Sequence, residues 1–273
     1  MPPSWQTLPL TLDPIVGYIG GVPVTWYAVM YILGAAFSAL YFVSLGKRRG
    51  ILPDADVSVE VILSVLWGVL IGARLGYVFF YGGSEFMAEP WRIISPYDFE
   101  LGEWVGIRGM SFHGGLVGGA VGLFMFTREG NRSFLQFSDL LVQTVPIAIL
   151  FGRLGNFLNH EILGRATGTT WGMYFSGNGA TLVHPVTLYE AALEGFALFI
   201  VMAIASRFIR TPGRLTALFL FLYACIRYFA ENYRAVPLPE DMVLGAWSIG
   251  QALSFVMVLL GVVVLLWPRK RVV

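Results

Sequence analysis

Apolar runs close to membrane-spanning length recur along the chain, with short polar connections between them. A transmembrane helix needs about 20 predominantly apolar residues to cross the hydrocarbon core of a bilayer. The pattern predicts seven spans, with six or eight as alternatives, because the third run is short and the fourth and sixth contain charged residues. The predicted spans cover residues 22–45, 60–81, 112–127, 137–158, 188–207, 215–232 and 246–267.

Composition points to the same fold class. Hydrophobic residues make up 56% of the 273 residues and charged residues 13%, against about 45–50% and about 25% in soluble proteins. A soluble protein with this balance could not cover its surface with polar side chains. The single cysteine, Cys225, also excludes an intrachain disulfide scaffold. We therefore predict an all-α polytopic integral membrane protein in which residues 1–273 form a single transmembrane domain.

The distribution of basic residues predicts how the spans are oriented. Eleven of the 18 lysines and arginines fall on connections at one side of the predicted bundle and four on the other side. Because cytoplasmic connections carry the excess of Lys and Arg, we expect the N-terminus outside and the C-terminus in the cytoplasm. The connections at about 82–111 and 159–187 then form a small external loop region.

Charge also excludes two further classes. The formal net charge is +1, which provides no global field to attract nucleic acid. No lysine or arginine precedes the first apolar run, so we expect no cleavable signal peptide at the start of the chain.

Glycines in the third predicted span recur at a spacing of four residues. Gly114, Gly118 and Gly122 form one such series, and Gly115 and Gly119 form another. Small residues at this spacing let two helix backbones approach closely within a membrane. The pattern predicts a helix–helix contact rather than a phosphate-binding loop.

Three arginines lie inside predicted spans, where each costs on the order of 2.5–3.5 kcal/mol to place at mid-span. The predicted topology brings all three, together with several polar side chains at neighbouring span ends, to the outer half of the bilayer. The residues of this layer are Arg74, Arg153, Arg227, Tyr27, His113 and Glu161.

These residue types suit an anionic lipid. The planar guanidinium of arginine matches phosphate with two parallel hydrogen bonds. A histidine beside such a group can accept a proton near neutral pH, and Tyr27 can donate a hydrogen bond. The layer therefore predicts a site for a phospholipid headgroup with a base nearby.

Each group also has a structural alternative. Arg227 and Glu231 stand four residues apart on one helix face, which Arg234 continues, so they can form an ion pair within the bundle. Arg153 and Asn156 can instead bridge backbone carbonyls.

The same holds for the remaining groups. His113 can be a satisfied polar group at a helix start, and structural pairing is as well supported for Arg74 as phosphate binding. We expect His160 and His184, on the external connection, to be solvated.

The segment GRLGNFLNHEILG at 152–164 resembles the signature of the prolipoprotein diacylglyceryl transferases. Further stretches resemble the same family in the same order, so the resemblance covers nearly the whole chain. They are WYAVMY at 26–31, GARLGYVFFY at 72–81, GMSFHGGLVG at 109–118 and RYFAENYR at 227–234.

The resemblance implies a multi-pass transferase of the bacterial inner membrane with its active site toward the outer leaflet. Such an enzyme moves the sn-1,2-diacylglyceryl group from phosphatidylglycerol to the lipobox cysteine in the signal peptide of a prolipoprotein. The products are a thioether and glycerol 1-phosphate, and this is the first step of lipoprotein maturation. The resemblance implies no cofactor and no metal, and its partners are the two substrates and membrane lipid.

The resemblance also assigns roles to residues. Arg153 corresponds to the arginine that binds phosphatidylglycerol, and we add Arg227 and Arg74 as further ligands of that lipid. The catalytic candidates are His113, Arg153, Arg227, Tyr27 and Asn156. The supporting candidates are Glu161, Gly164, Tyr223 and Glu231.

Two departures from the family pattern stand out. The family usually shows HPSQLYE or HPTQLYE where this chain has HPVTLYE at 184–190. Val186 and Thr187 therefore lack an amide side chain for any substrate contact. Ala28 stands where glycine often follows the Trp-Tyr pair.

A mechanism follows as a hypothesis. His113 removes the proton of the substrate thiol, which is a poor nucleophile until it ionises. Arg153 and Arg227 neutralise the charge on the departing phosphate, while Glu161 and Glu231 hold these arginines. Considered apart from the family resemblance, the residues support an enzyme and a carrier of anionic lipid equally. A hydrolase is a further alternative.

Overall fold

The computed structural model describes residues 4–81, 83–95, 97–98, 102–104, 109–235, 242–243 and 247–267. The structure is mostly helical. The helices are α1 Trp26–Arg48, α2 Ala55–Tyr81, α3 Gly83–Ala88, α4 Phe112–Glu129, α5 Phe134–Leu141, α6 Val145–Leu158, α7 Val186–Glu190, α8 Leu198–Phe208, α9 Arg214–Glu231 and α10 Ile249–Leu266. The strands are β1 Ile15–Ile19, β2 Val22–Thr25, β3 Tyr97–Asp98, β4 Glu103–Trp104, β5 Met242–Val243 and β6 Trp247–Ser248.

Five helical segments of the described chain are long and apolar enough to cross a membrane. They agree with the first, second, fourth, fifth and seventh predicted spans. These segments are Trp26–Arg48, Ala55–Phe79, Phe134–Leu158, Val186–Phe208 and Ile249–Leu266. The third and sixth predicted spans correspond to α4 and α9, which have 18 residues each and carry charged residues near their ends. The count of seven spans and the orientation of the termini stay predictions.

Two of the five segments are not regular α-helices throughout. A turn at residues 142–144 separates α5 from α6, and Pro146 stands in the first turn of α6, where its missing N–H removes no intrahelical bond. A π-helical stretch, Ala191–Ala197, joins α7 to α8. Such stretches are rare and occur frequently at functional sites.

The chain divides into two compact units, one of residues 45–138 and one of residues 1–44 with 139–273. Within the smaller unit, α2 and α4 pack together through glycines. A Cβ added to Gly118 would lie 2.8 Å from the Cα of Gly72, and one added to Gly76 would lie 2.7 Å from the Cα of Gly114. The predicted close contact along the α4 glycines is therefore confirmed, and its partner is a matching glycine series on α2.

In the larger unit, the connection between α6 and α7 is folded back on itself rather than extended. Val183 forms isolated bridges with Ala166 and Met173. Met173 and Val183 also belong to a small buried core with Phe157 and Phe175. This core gives the connection a fixed shape next to the end of α6.

The N-terminal segment packs onto this connection. Residues Trp5–Thr11 form a 3₁₀ helix ahead of the β1–β2 hairpin. The indole of Trp5 donates to the carbonyl of Trp171 over 3.0 Å, and the backbone of Tyr174 donates to the carbonyl of Gln6 over 2.8 Å.

Helix α9 begins at a buried carboxylate. Asp139 accepts hydrogen bonds from the backbone N–H of Gly213 at 2.7 Å and from the N–H and hydroxyl of Thr216 at 2.8 and 2.7 Å. The first N–H groups of a helix have no intrahelical partner, and a negative charge there is favourable. Asp139 thus fixes the start of the helix that carries Arg227 and Glu231.

Candidate active site

Three arginines and three glutamates of the larger unit form a network of ion pairs, which we call the ion-pair cluster. The side chains of Glu190 and Glu194 are fully buried, and the other four are at most 21% exposed. Each charge in the cluster contacts at least one charge of opposite sign, as buried charges require. The members are Arg153, Glu190, Glu194, Arg227, Glu231 and Arg234.

Glu190 lies at the centre of the cluster and contacts all three arginines. Its carboxylate is 3.1 Å from Nε of Arg153 and 2.5 Å from Nη1 of Arg227. Arg234 donates through Nε at 2.8 Å and through Nη2 at 3.2 Å, which is a two-point contact. One carboxylate at the end of α7 therefore joins α6 to the end of α9 and the residues that follow it.

The other two glutamates complete the pairing. Glu194 accepts from Nε and Nη2 of Arg153 at 3.2 and 3.0 Å. Glu231 lies 2.7 Å from Nη2 of Arg227 and accepts from the hydroxyl of Ser248 at 2.9 Å. The ion pair between Arg227 and Glu231 that the sequence predicts is therefore confirmed.

Arg153 keeps one edge of its guanidinium outside this pairing. Its Nε and Nη2 point to Glu190 and Glu194. Among the described residues, its Nη1 has no hydrogen-bond partner. The side chain is 15% exposed. Arg153 is thus held by two carboxylates while N–H groups remain for an anion.

A second chain of hydrogen bonds follows the end of α6. Asn156 donates to Oε2 of Glu161 at 2.7 Å, and Asn159 donates to Oε1 at 3.3 Å. The side-chain oxygen of Asn159 accepts from the backbone N–H of Tyr27 at 3.1 Å, in the first turn of α1. Glu161 therefore orders amide side chains, whereas the sequence predicts that it holds an arginine.

Backbone strain marks the same segment. His160 and Ile162, on either side of Glu161, have φ values of 57° and 58°. This left-handed conformation is uncommon for residues other than glycine and an outlier for a β-branched one such as Ile162. Strain of this kind persists where the surrounding structure fixes it, often at functional sites.

Gly164 ends this segment at a tight backbone contact. It pairs with Arg234 in an isolated bridge, and the carbonyl of Arg165 accepts from the N–H of His184 at 3.0 Å. A Cβ at Gly164 would lie 2.9 Å from the Cβ of His184 and would also meet its carbonyl oxygen. Only glycine fits this contact, which positions the backbone of Arg234 at the cluster.

Comparison with known proteins identifies the family of this arrangement. The family model described as "Prolipoprotein diacylglyceryl transferase" matches residues 14–267. The chain belongs to this family. It is 39% identical to the phosphatidylglycerol–prolipoprotein diacylglyceryl transferase of Chlorobaculum tepidum, over 98% of this chain and 93% of that protein. The protein of the same name from Campylobacter lari is 36% identical over 97% of this chain and 97% of its own length. The one from Geobacter sulfurreducens is 36% identical over 95% of this chain and 96% of its own length.

Most site residues predicted for this member of the diacylglyceryl transferase family lie in the larger unit. The ring of Tyr27 is tilted by 39° against that of Tyr31, with the ring centroids 4.5 Å apart, and Tyr27 lies within electrostatic reach of Glu161 and Arg153. Tyr223 is 3% exposed and within electrostatic reach of Glu194 and Arg153. The following predicted site residues belong to the cluster, to the hydrogen-bonded segment at the end of α6, or to their surroundings, and their roles stay predictions. They are Tyr27, Arg153, Asn156, Glu161, Gly164, Tyr223, Arg227 and Glu231.

Arg74 and His113 belong to the smaller unit. Arg74 donates to the carbonyls of Arg92, Ile93 and Gly109, so it ties down the connection between α2 and α4. These contacts match the structural alternative for Arg74, and its binding of phosphatidylglycerol stays a prediction. His113 is the second residue of α4, and its side chain lies outside what the structure describes.

Glu190 and Glu194 are not among the predicted site residues, and Arg234 is predicted only as a continuation of one helix face. The signal was present, because Glu190 and Glu194 stand four residues apart within an apolar run. Ionisable residues of either sign within a span mark a candidate functional site, so the same rule that selected the arginines also selects both glutamates.

His160 and His184 are both half-buried, so the expectation that they are solvated holds only in part. The His184 ring packs edge to face against Tyr189 and Tyr233. The Nδ1 of His160 is 2.7 Å from the hydroxyl of Ser176, and its Nε2 is buried. The fold of the connection covers part of each ring, which its polar composition did not indicate.

Proposed function

We propose that this chain transfers the diacylglyceryl group of phosphatidylglycerol to the cysteine thiol of a prolipoprotein. Within a member of this family, the observation that carries the proposal is the ion-pair cluster and the open edge of Arg153. Two carboxylates fix the guanidinium of Arg153, while its Nη1 remains available to an anion. A fixed donor of this kind suits the phosphate of the lipid headgroup.

The proposed reaction exchanges one bond for another. The thiol of the prolipoprotein cysteine loses its proton, and the resulting thiolate attacks the glycerol carbon that is bonded to the phosphate oxygen. A carbon–sulfur bond forms, the carbon–oxygen bond breaks, and its electron pair leaves with the phosphate. The products are a thioether and glycerol 1-phosphate, and no redox partner is required.

Electrostatic stabilisation of the leaving phosphate is the main task of the arginines. Charge grows on the phosphate as the carbon–oxygen bond breaks, and prearranged donors are worth most where charge develops. Arg153 is the donor with the open edge, and Arg227 lies behind it through the shared Glu190 and Glu194. Glu190, Glu194 and Glu231 hold both arginines in place before the substrate arrives.

His113 is the proposed base for the thiol. It lies at the start of α4, where Ser111 accepts a hydrogen bond from the N–H of Gly114. If His113→Gln retained near-full turnover between about pH 6 and pH 9, where a histidine changes its charge, another group would have to remove the proton.

The proposed topology has seven spans with the N-terminus outside and the site toward the outer leaflet of the bacterial inner membrane. The excess of basic residues on one set of connections supports this orientation. Single cysteines introduced at Gly168 on the connection after α6 and at Lys47 at the end of α1, in a Cys225→Ser background, should label from opposite sides of the membrane.

The test of the activity is glycerol phosphate release from phosphatidylglycerol by the purified protein with a lipobox peptide. We expect release that requires the peptide cysteine, fails when that cysteine is serine, and falls by about 10²–10³ in Arg153→Ala. Release that does not depend on the cysteine would indicate a hydrolase. No release from folded protein would favour a carrier of anionic lipid.

A further inference from the structure

A small pocket lies beside the ion-pair cluster, and we call it the aromatic pocket. Its volume is about 220 Å³. Pockets that enclose a drug-sized molecule are larger, at about 300–1,000 Å³. Aromatic and aliphatic side chains form its walls, so it suits one apolar group rather than a charged one. The walls are Trp171, His184, Tyr189, Leu193, Phe229 and Tyr233.

The aromatic pocket is preformed. The rings of His184, Tyr189 and Tyr233 meet edge to face in all three pairs, with centroids 5.2–5.9 Å apart. Phe229 adds a further edge contact to Tyr233 at 5.5 Å, and Nδ1 of His184 is 3.1 Å from the hydroxyl of Tyr189. Edge-to-face pairs of this kind stabilise the arrangement of the rings.

The walls are continuous with the ion-pair cluster. On the helical segment Val186–Phe208 and after α9, a pocket residue comes directly before a charged cluster residue. These neighbours are Tyr189 and Glu190, Leu193 and Glu194, and Tyr233 and Arg234. The pocket walls and the cluster therefore share the same turns of the chain, which keeps the pocket close to the cluster.

The surroundings of the pocket favour a peptide side chain over a lipid chain. Trp171 belongs to the connection between α6 and α7, outside the helices, and is 53% exposed. Tyrosine, tryptophan and histidine combine an apolar ring with a polar edge, which suits the boundary between apolar and polar surroundings. A signal peptide presents an apolar segment ahead of its processed site.

We propose that the aromatic pocket binds an apolar side chain of the prolipoprotein just ahead of the acceptor cysteine. This inference rests on the proposed transferase function and adds the subsite that selects the peptide. The pocket holds the apolar side chain, and the cysteine that follows it reaches the phosphatidylglycerol at Arg153.

The test compares the two substrates of the purified full-length protein. Leu193→Trp fills the pocket, so we expect the KM for a lipobox peptide to rise tenfold or more while the KM for phosphatidylglycerol stays within about twofold. Wild-type protein should prefer a peptide with leucine ahead of the cysteine over one with alanine by about 10–200-fold in kcat/KM, and Leu193→Trp should lose this preference. Leu260 on α10 is 51% exposed. Leu260→Trp therefore makes the same change away from the pocket and is the matched control.

A second variant covers the case in which Leu193→Trp does not fold. Phe229 is 54% exposed, and Phe229→Ala enlarges the pocket. We expect the Phe229→Ala enzyme to prefer phenylalanine or tryptophan over leucine ahead of the peptide cysteine. A merely structural role of the pocket would not produce this change.

Other outcomes would overturn the proposal. A change in the KM for phosphatidylglycerol, or in the preference for its acyl-chain length, would show that the pocket holds lipid. Unchanged peptide selectivity in both variants would show that the pocket is internal packing. Failure of the transferase function is distinguishable, because wild-type protein would then show no cysteine-dependent turnover at all.

Discussion

Asn156 donates its side-chain amide to Glu161 over 2.7 Å. This bond ties the last turns of α6 to the strained segment between His160 and Ile162, both of which have positive φ. Asn159 donates to the other oxygen of the same carboxylate. Glu161 is thus the common acceptor for the two asparagines of the signature, three residues past the end of α6.

Removing this acceptor should lower activity more than stability. We expect Glu161→Ala to reduce kcat/KM about tenfold or more, because a small displacement of positioned groups is costly to rate. Cysteine-dependent glycerol phosphate release measures the effect. Glu129→Gln, at the exposed end of α4, serves as the control and should retain wild-type turnover. Full activity in Glu161→Ala would show that Asn156 needs no acceptor.

Glu190→Gln should destabilise the protein strongly. Glu190 contacts three arginines and is fully buried, and removing one partner of a buried ion pair costs about 3–5 kcal/mol. The measurement is the thermal unfolding temperature in detergent, which should fall. Glu89→Gln breaks the partly exposed pair with Arg92, where about 0–1 kcal/mol is expected. Equal melting temperatures for both variants would contradict the central role of Glu190.

Arg153→Lys should not preserve activity although it preserves the charge. A lysine ammonium cannot contact two carboxylates and a phosphate with the planar geometry of a guanidinium. We expect a loss in kcat/KM of about 10²-fold or more. Arg128→Lys, at the exposed end of α4, makes the same change away from the cluster. Near-normal turnover in Arg153→Lys would mean that the charge alone is sufficient.

Gly164→Ala should lose activity because its Cβ would press on the backbone of His184. The bridge between Gly164 and Arg234 would have to shift, and Arg234 would move away from Glu190. Gly168→Ala is a matched control in the same connection, since nothing lies within 4 Å of its added Cβ. Activity assays on both variants decide the point, and equal activities would argue against the tight contact.

Gly118→Ala should weaken the packing of α2 on α4. The added Cβ would approach the Cα of Gly72 to 2.8 Å, and a backbone atom cannot yield as a flexible side chain can. At Gly115, one turn earlier, the added Cβ would meet Ala73 at an ordinary 3.4 Å. We expect a lower melting temperature for Gly118→Ala only. Similar melting temperatures for both variants would contradict the glycine contact.

Sequence patterns predicted the helical segments well because apolar periodicity and length constrain a membrane span directly. The four-residue spacing also predicted the pair of Arg227 and Glu231, since both residues lie on one helix. The bonds between Arg153 and Glu194 join residues 41 positions apart, and no local rule gives their register. A π-helical stretch at Ala191–Ala197 and positive φ values at His160 and Ile162 depend on tertiary contacts, which the sequence pattern does not encode.

The sequence separations within the ion-pair cluster have a consequence for the synthesis of the chain. Arg153 leaves the ribosome 41 residues before Glu194, and Glu190 leaves it 37 residues before Arg227 and 44 before Arg234. Arg153 therefore enters the membrane before either of its partners exists, and Glu190 enters it before two of its three arginines are made. The translocation machinery or water has to accommodate these charges until residue 234 is made. The ion-pair cluster is therefore completed late in the synthesis and folding of the chain.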